Sequence, residues 1–173
     1  PRCTIRVITT EECLGMAAFA TIHDDLRRRA VAGLNMDNVG PASWAEHPFS
    51  LHFGPLSAPS IAWPIAGMLA DELARRSAGK YFIKPVRSTM TADDFIADPN
   101  CGIPSMWVGF GKDCPGYHSS SDTPEVISDL TMRMQTVLAA AWAFQVASCD
   151  DAQAAELLPA ACQWLDQHVL SGE

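Results

Sequence analysis

Three places in this sequence set acidic or imidazole groups where they can do chemistry: the adjacent carboxylates Glu11 and Glu12, the carboxylate of Asp37, and the pair Tyr117-His118. Each follows a run that reads as a β-strand, and in open α/β sheets sites form outside the carboxyl ends of strands. Neighbouring carboxylates at such a point can divide the work, one holding a metal through hard oxygen while the other takes a proton from water. The same residues have plainer uses. Acidic side chains are favoured by the dipole in the first turn of a helix, and Asp37 also suits a turn. His118 lies in Gly116-Tyr117-His118-Ser119-Ser120-Ser121-Asp122-Thr123-Pro124, and a lone histidine in such a polar loop is commonly just solvated.

The elements that must position these groups can be read from patterning. Residues 3–9 are rich in β-branched side chains and predict a strand, after which Thr10 can cap a helix that starts at the glutamates. Leu14, Met16, Ala17, Phe19, Ala20 and Ile22 then recur at helical spacing, and Arg27-Arg28-Arg29 closes the segment with cations that complement exposed carbonyls. Residues 31–36 predict a strand buried on both faces and ending at Asp37. From 38 to 60, Gly40, Pro41, Pro48, Gly54, Pro55 and Pro59 leave few unbroken windows, which predicts a long loop that is either functional or an excursion from the domain. A helix over 61–78 tolerates Pro64 in its first turn, where the amide proton would have no partner. Strands follow over 80–86 and 103–110, with a turn at Thr91-Ala92-Asp93-Asp94-Phe95 between them. Pro124 opens a long helix with Ile127, Leu130, Met134, Leu138 and Trp142 on its apolar face, and a last amphipathic helix covers about 151–169. Strands alternating with helices imply an α/β fold with a mainly parallel central sheet flanked by helices.

Composition fits one domain. The 173 residues are 48% hydrophobic and 18% charged, enough for a sizeable core. A formal charge of -8 excludes nucleic acid as the main partner, because phosphate binding needs clustered Lys and Arg. The most apolar stretch, 137–147, is about half of the ~20 residues a bilayer requires, so no membrane span is expected. The six cysteines have no CxxC spacing and are expected as reduced thiols of a cytoplasmic protein; a Cys101–Cys114 bridge is the one alternative. His47 and His52 share a Pro-broken loop without ligand spacing, His23 with Asp24 and Asp25 fits a solvated helix end, and His168 is expected to face solvent.

One segment is more specific. Tyr-His-Ser-Ser-Ser-Asp-Thr-Pro at 117–124 resembles the tyrosine-histidine-threonine-x-x-aspartate-threonine-proline signature of M28-type zinc aminopeptidases and their aminopeptidase-like relatives. Ile-Thr-Thr-Glu-Glu-Cys-Leu-Gly resembles that family's strand followed by a glutamate pair, and Leu-Asn-Met-Asp-Asn-Val-Gly its strand ending in a metal-binding aspartate. Ala-Asp-Asp-Phe with Cys-Gly-Ile-Pro resembles its serine-aspartate-histidine and glycine-isoleucine-proline segment. Four such matches in order, spanning about 4–146, are a strong signal although each alone is weak.

The resemblance implies a zinc aminopeptidase-like fold of the phosphorylase/hydrolase type and a two-zinc hydrolase acting on a peptide or small amide substrate. It implies Glu11 as general base, Glu12 and His118 as ligands of one zinc, and Asp37 as a ligand of the other. Asp93, Asp94 and Tyr117 are placed in the pocket. Asp94 stands where the family has a histidine, and Cys13 interrupts the usual glutamate-glutamate-x-glycine spacing. The family's remaining histidine and bridging aspartate would precede Glu11 by more than the ten residues present, so the reading is of a partial domain over 1–173 with a helical extension at about 150–173. An N-terminal segment or partner chain would complete it. The 173 residues alone are then expected to bind zinc poorly, to be inactive and to associate, a homo-oligomer included. A non-catalytic interaction domain and a glutaminyl-cyclase-like zinc acyltransferase are the rival expectations.

Overall fold

Alternating side chains build a four-stranded sheet whose two faces differ in chemistry. In the computed structural model, residues 1–41, 48–87, 92–110 and 116–170 are described. Strands β1 (Gly33–Met36), β2 (Phe49–Phe53), β3 (Ile83–Arg87) and β4 (Ser105–Gly109) lie in the order β1-β4-β2-β3. The pairs β1/β4 and β2/β3 are parallel, and β2/β4 is antiparallel. Two parallel pairings out of the three agree with the expected mainly parallel sheet.

Register decides which side chains share a face. Leu34 is paired with Met106, which is paired with Phe53; Met36, Val108 and Leu51 form the next row. These six belong to the main apolar core or pack against it. Burying each of Leu51 and Phe53 contributes roughly 1.5–3 kcal/mol. The period of two then puts Gly33, Asn35, Ser50, His52, Ser105, Trp107 and Gly109 on the opposite, polar face.

Helices α3 (Ala62–Arg76), α4 (Asp129–Ser148) and α5 (Asp151–Leu165) cover the apolar face. Pro64 sits in the first turn of α3, as expected, and is buried with Trp63 and Ile65. The α3/α5 contact depends on an absent side chain: a Cβ on Gly67 would lie 2.2 Å from the Trp164 ring. That close approach lets Trp164 Nε1 donate to Asp71 Oδ2 at 2.8 Å. Trp142 Nε1 of α4 donates to the Ala62 carbonyl at 2.9 Å. The Asp150/Gln153 capping box opens α5. A π turn, Asp166–Leu170, follows α5, and Arg87 donates to its Val169 carbonyl at 2.8 Å. His168 is exposed as expected, yet its ring stacks on Trp164 with centres 4.3 Å apart.

The polar face is covered by a 3-10 helix, Asp93–Ala97, where the sequence predicts only a turn. Ile96 of this helix reaches Gly33, and Ala97 reaches Gly54. Helix α1 (Leu14–Ile22) and the short α2 (Asp24–Arg27) precede β1, and Arg27 and Arg28 pair with Asp24 at 2.6 Å each. His23, at the junction of α1 and α2, is exposed as expected, with its ring 5.1 Å from Phe19.

Four local expectations are corrected. Residues 3–9 form no strand and are exposed; only Arg2 and Cys3 are tied down, both N–H groups donating to the Ala147 carbonyl. β-Branched residues favour extended backbone but cannot supply the neighbouring strand that makes it a ladder. The expected 38–60 loop contains β2 near the middle of the sheet, because Phe-Ser-Leu-His-Phe alternates buried and half-buried despite the flanking prolines. Thr10 does not cap α1, whose N-cap position is Cys13 without a side-chain bond; Thr10 packs against Gly15 instead. The helix expected from Pro124 is a 3-10 turn (Pro124–Val126), an extended Ile127, and then α4 capped by Ser128. Its buried face is Thr131, Gln135, Leu138 and Trp142, leaving Ile127 and Leu130 exposed.

Among the described residues no helix is long and apolar enough to cross a membrane. Cys3, Cys13, Cys101, Cys149 and Cys162 are free thiols. Cys114 and His47 lie outside the described residues.

Candidate active site

The three sequence-selected places are linked through Asp37 and Asp93. Asp37 leaves β1 with its N–H on the Val108 carbonyl at 3.2 Å, and the next residue, Asn38, returns its carbonyl to Phe110 N–H at 3.1 Å. Gly109 makes that approach possible, since a Cβ there would stand 2.2 Å from the Asp37 carbonyl oxygen. Asp37 is half-buried. Burial pushes its carboxyl above the usual range, opposed by the Asn38 N–H; Asp93 adds to the rise and His118 opposes it. Asp93 and His118 are therefore each within electrostatic reach of Asp37 despite their separation in sequence.

The glutamate turn joins the same cluster through Cys13. Asp93 Oδ1 accepts the Cys13 N–H at 2.7 Å. Burial and then the charges of Glu12, Asp93, Asp94 and Asp37 push the Cys13 thiol up, so every charge acting on it is anionic. Glu12 itself is exposed, as is Glu11, whose carbonyl accepts Gly15 N–H at 2.9 Å to start the turn into α1. Glu11 adjoins the cluster along the chain, but it is not among the charges felt at Cys13.

His118 is carried by a tight turn. Gly116, at φ +80, has no room for a Cβ, which would meet Ser121 backbone at 2.7 Å. The Gly116 carbonyl accepts both Ser119 N–H at 2.9 Å and Ser119 Oγ–H at 2.7 Å. His118 is exposed, and the Tyr117 ring stacks on it with centres 3.8 Å apart. The far end of this loop is fastened beside Asp37's own loop, with Ser128 N–H on the Gly40 carbonyl at 2.9 Å.

Backbone strain marks the same region. Among the described non-glycine residues, Cys13, Asn38, Ala78 and His118 have positive φ. Cys13 follows Glu12, Asn38 follows Asp37, and His118 is itself a candidate, which is the clustering expected where geometry serves chemistry.

Asp94, expected in the pocket, and His52, which was not, also lie within electrostatic reach of one another. Asp94 is 1% exposed and accepts Ala92 N–H at 3.1 Å. His52, ranked low in its loop, is on β2; its ring lies 4.1 Å from that of Trp107, its antiparallel partner. Burial lowers its pKa and Asp94 opposes that. The alternation of residues 49–53 is the signal that could have placed it on a sheet face.

Carboxylates and an imidazole are donors that zinc accepts, and the concentration of negative charge around Cys13 and Asp37 suits a divalent cation. Among the described residues, however, no three His, Cys, Asp or Glu side chains are grouped closely enough to hold a metal ion. The donor chemistry fits zinc; the donor number does not fill a shell.

The profile of peptidase family M28 matches residues 3–143. Among solved structures, the aminopeptidase from Aneurinibacillus sp. strain AM-1 is similar at 18% identity and a TM-score of 0.54, over 78% of this chain and 30% of that one. A putative peptidase from Clostridium acetobutylicum is similar at 14% identity and a TM-score of 0.52, over 79% and 29%. BSAP, a zinc aminopeptidase from Bacillus subtilis, is similar at 23% identity and a TM-score of 0.50, over 76% and 31%. At these identities the likeness is one of fold, and the chain spans about 30% of the length of these structures. No curated protein sequence matches the chain.

Proposed function

The chain belongs to peptidase family M28, and from that membership we propose that it contributes part of a metal-dependent aminopeptidase centre acting on N-terminal peptide bonds or related amides. What supports the reading is the Asp93 carboxylate, which accepts the N–H of Cys13, the residue after Glu12, and lies within electrostatic reach of Asp37 at the end of β1.

In this reading Glu12 and His118 hold one zinc and Asp37 the other, with the remaining ligands supplied from outside these 173 residues. That division gives neither ion three donors from this chain. When bound, zinc would supply Lewis acidity that lowers the pKa of its water toward neutrality. Glu11, exposed beside Glu12, takes the proton of the attacking water and returns it to the departing amine. The Tyr117 ring limits rotation of the His118 imidazole. The half-buried setting of Asp37 strengthens its attraction for a cation over what it would be in open water.

The test uses the full-length protein and a panel of aminoacyl anilides. Expected are release of free amino acid, its loss on chelation, its return with zinc, and a large fall in kcat for Glu11→Gln at unchanged zinc content. Failure to cleave any member of the panel at full zinc loading would remove the peptidase reading. It would favour an interaction domain that keeps the fold, a reading for which the incomplete donor group speaks.

A further inference from the structure

We propose that Asp93 is a positioning residue whose carboxylate tethers the glutamate-bearing turn to the polar face of the sheet by accepting the Cys13 N–H. The tether is read from geometry alone; its consequence for catalysis rests on the hydrolase reading above.

The turn needs an outside partner. Residues 11–13 enter α1 through two backbone bonds, Leu14 N–H to the Glu12 carbonyl at 2.6 Å and Gly15 N–H to the Glu11 carbonyl at 2.9 Å. No side chain caps the helix locally, and Cys13 is held at φ 58 and ψ -58, the centre of a strained γ-turn closed by the Leu14 N–H. Such a conformation persists only where its surroundings impose it. Asp93, 80 positions away in sequence, provides that constraint at 2.7 Å through a charge-assisted bond.

Asp93 is itself firmly mounted. Its neighbour Asp94 is buried and accepts Ala92 N–H, while Ile96 and Ala97 seat the 3-10 helix against Gly33 and Gly54. Two adjacent carboxylates thus serve opposite directions: Asp94 closes its own helix, and Asp93 reaches out. The charge of Asp93 is felt at both Cys13 and Asp37, so it lies within electrostatic reach of the turn carrying Glu12 and of the end of β1. The competing role for a carboxylate in this place is that of a direct metal donor.

The two roles separate in the full-length protein with Asp93→Asn, whose amide oxygen still accepts an N–H, and Asp93→Ala, which accepts nothing. Hydrogen exchange at the Cys13 amide and zinc affinity against a competing chelator are measured for both. For Asp93→Ala the tether predicts roughly tenfold to a hundredfold faster exchange and zinc affinity lower by about tenfold. For Asp93→Asn both stay within about threefold of the parent. Unchanged Cys13 exchange in Asp93→Ala overturns the tether. Zinc loss in Asp93→Asn with the Cys13 amide still protected overturns it too, in favour of a direct ligand. Should Asp93→Ala not fold, the Asp93→Asn arm still decides. Absence of peptidase activity in the parent would sink the hydrolase reading and leave the exchange and zinc results to judge Asp93.

Discussion

The imidazole of His52 lies against the indole of Trp107, ring centres 4.1 Å apart and planes 25° from parallel, on the polar face of the sheet. Burial disfavours the imidazolium there, and the charge of Asp94 only partly offsets this. The unfolded chain takes up this proton near pH 6.5, while the folded chain does so at lower pH. Below about pH 6.5 the unfolded state therefore binds more protons, and stability falls with acidification until the folded-state pKa is passed. His52→Gln is expected to flatten the fall in urea midpoint between about pH 7.5 and 5. An unchanged slope in that variant would falsify the assignment.

Asp37→Asn should separate stability from metal response. The raised carboxyl pKa means that the charged group costs folding free energy at neutral pH, a cost that disappears below the unfolded value of 3.8. In the full-length protein the variant is expected to melt higher than the parent at pH 7 without zinc and to lose most of the parent's zinc-induced rise. A lower melting point for the metal-free variant would show that the Asn38 N–H and His118 outweigh burial.

Gly109→Ala tests the approach of β4 to Asp37. The added methyl would stand 2.2 Å from the Asp37 carbonyl, a backbone atom that cannot swing aside. A loss of about 1–3 kcal/mol is expected, and zinc affinity should fall with it because Asp37 must move. Denaturant unfolding and a metal titration on the same sample check both parts; a normal titration would show that Asp37 keeps its place.

How much of this was legible in sequence follows from how far each signal reaches along the chain. Glu12, Asp37 and His118 could be picked out because each ends a local pattern, and a four-part motif order tied them together. Residues 49–53 were obscured by prolines on both sides, although their alternation was present throughout. Residues 3–9 misled in the opposite way, having strand composition but no paired neighbour in the structure. The contact of Asp93 with Cys13 spans 80 positions, and the stack of His52 on Trp107 depends on an antiparallel register. No local window contains either.

Gly67→Ala probes the other side of the molecule. Its methyl would collide with the Trp164 ring, which is held by the 2.8 Å bond to Asp71 and cannot tilt without breaking it. About 1–3 kcal/mol of stability should be lost, with a change in tryptophan emission and no change in zinc affinity. A shift in zinc binding would reveal coupling across the sheet.

The division of the sheet into an oily side under α3, α4 and α5 and a polar side under the 3-10 helix has an evolutionary reading. Folding is secured by one set of alternate positions, and the set between them is left free to vary without disturbing the fold's foundations.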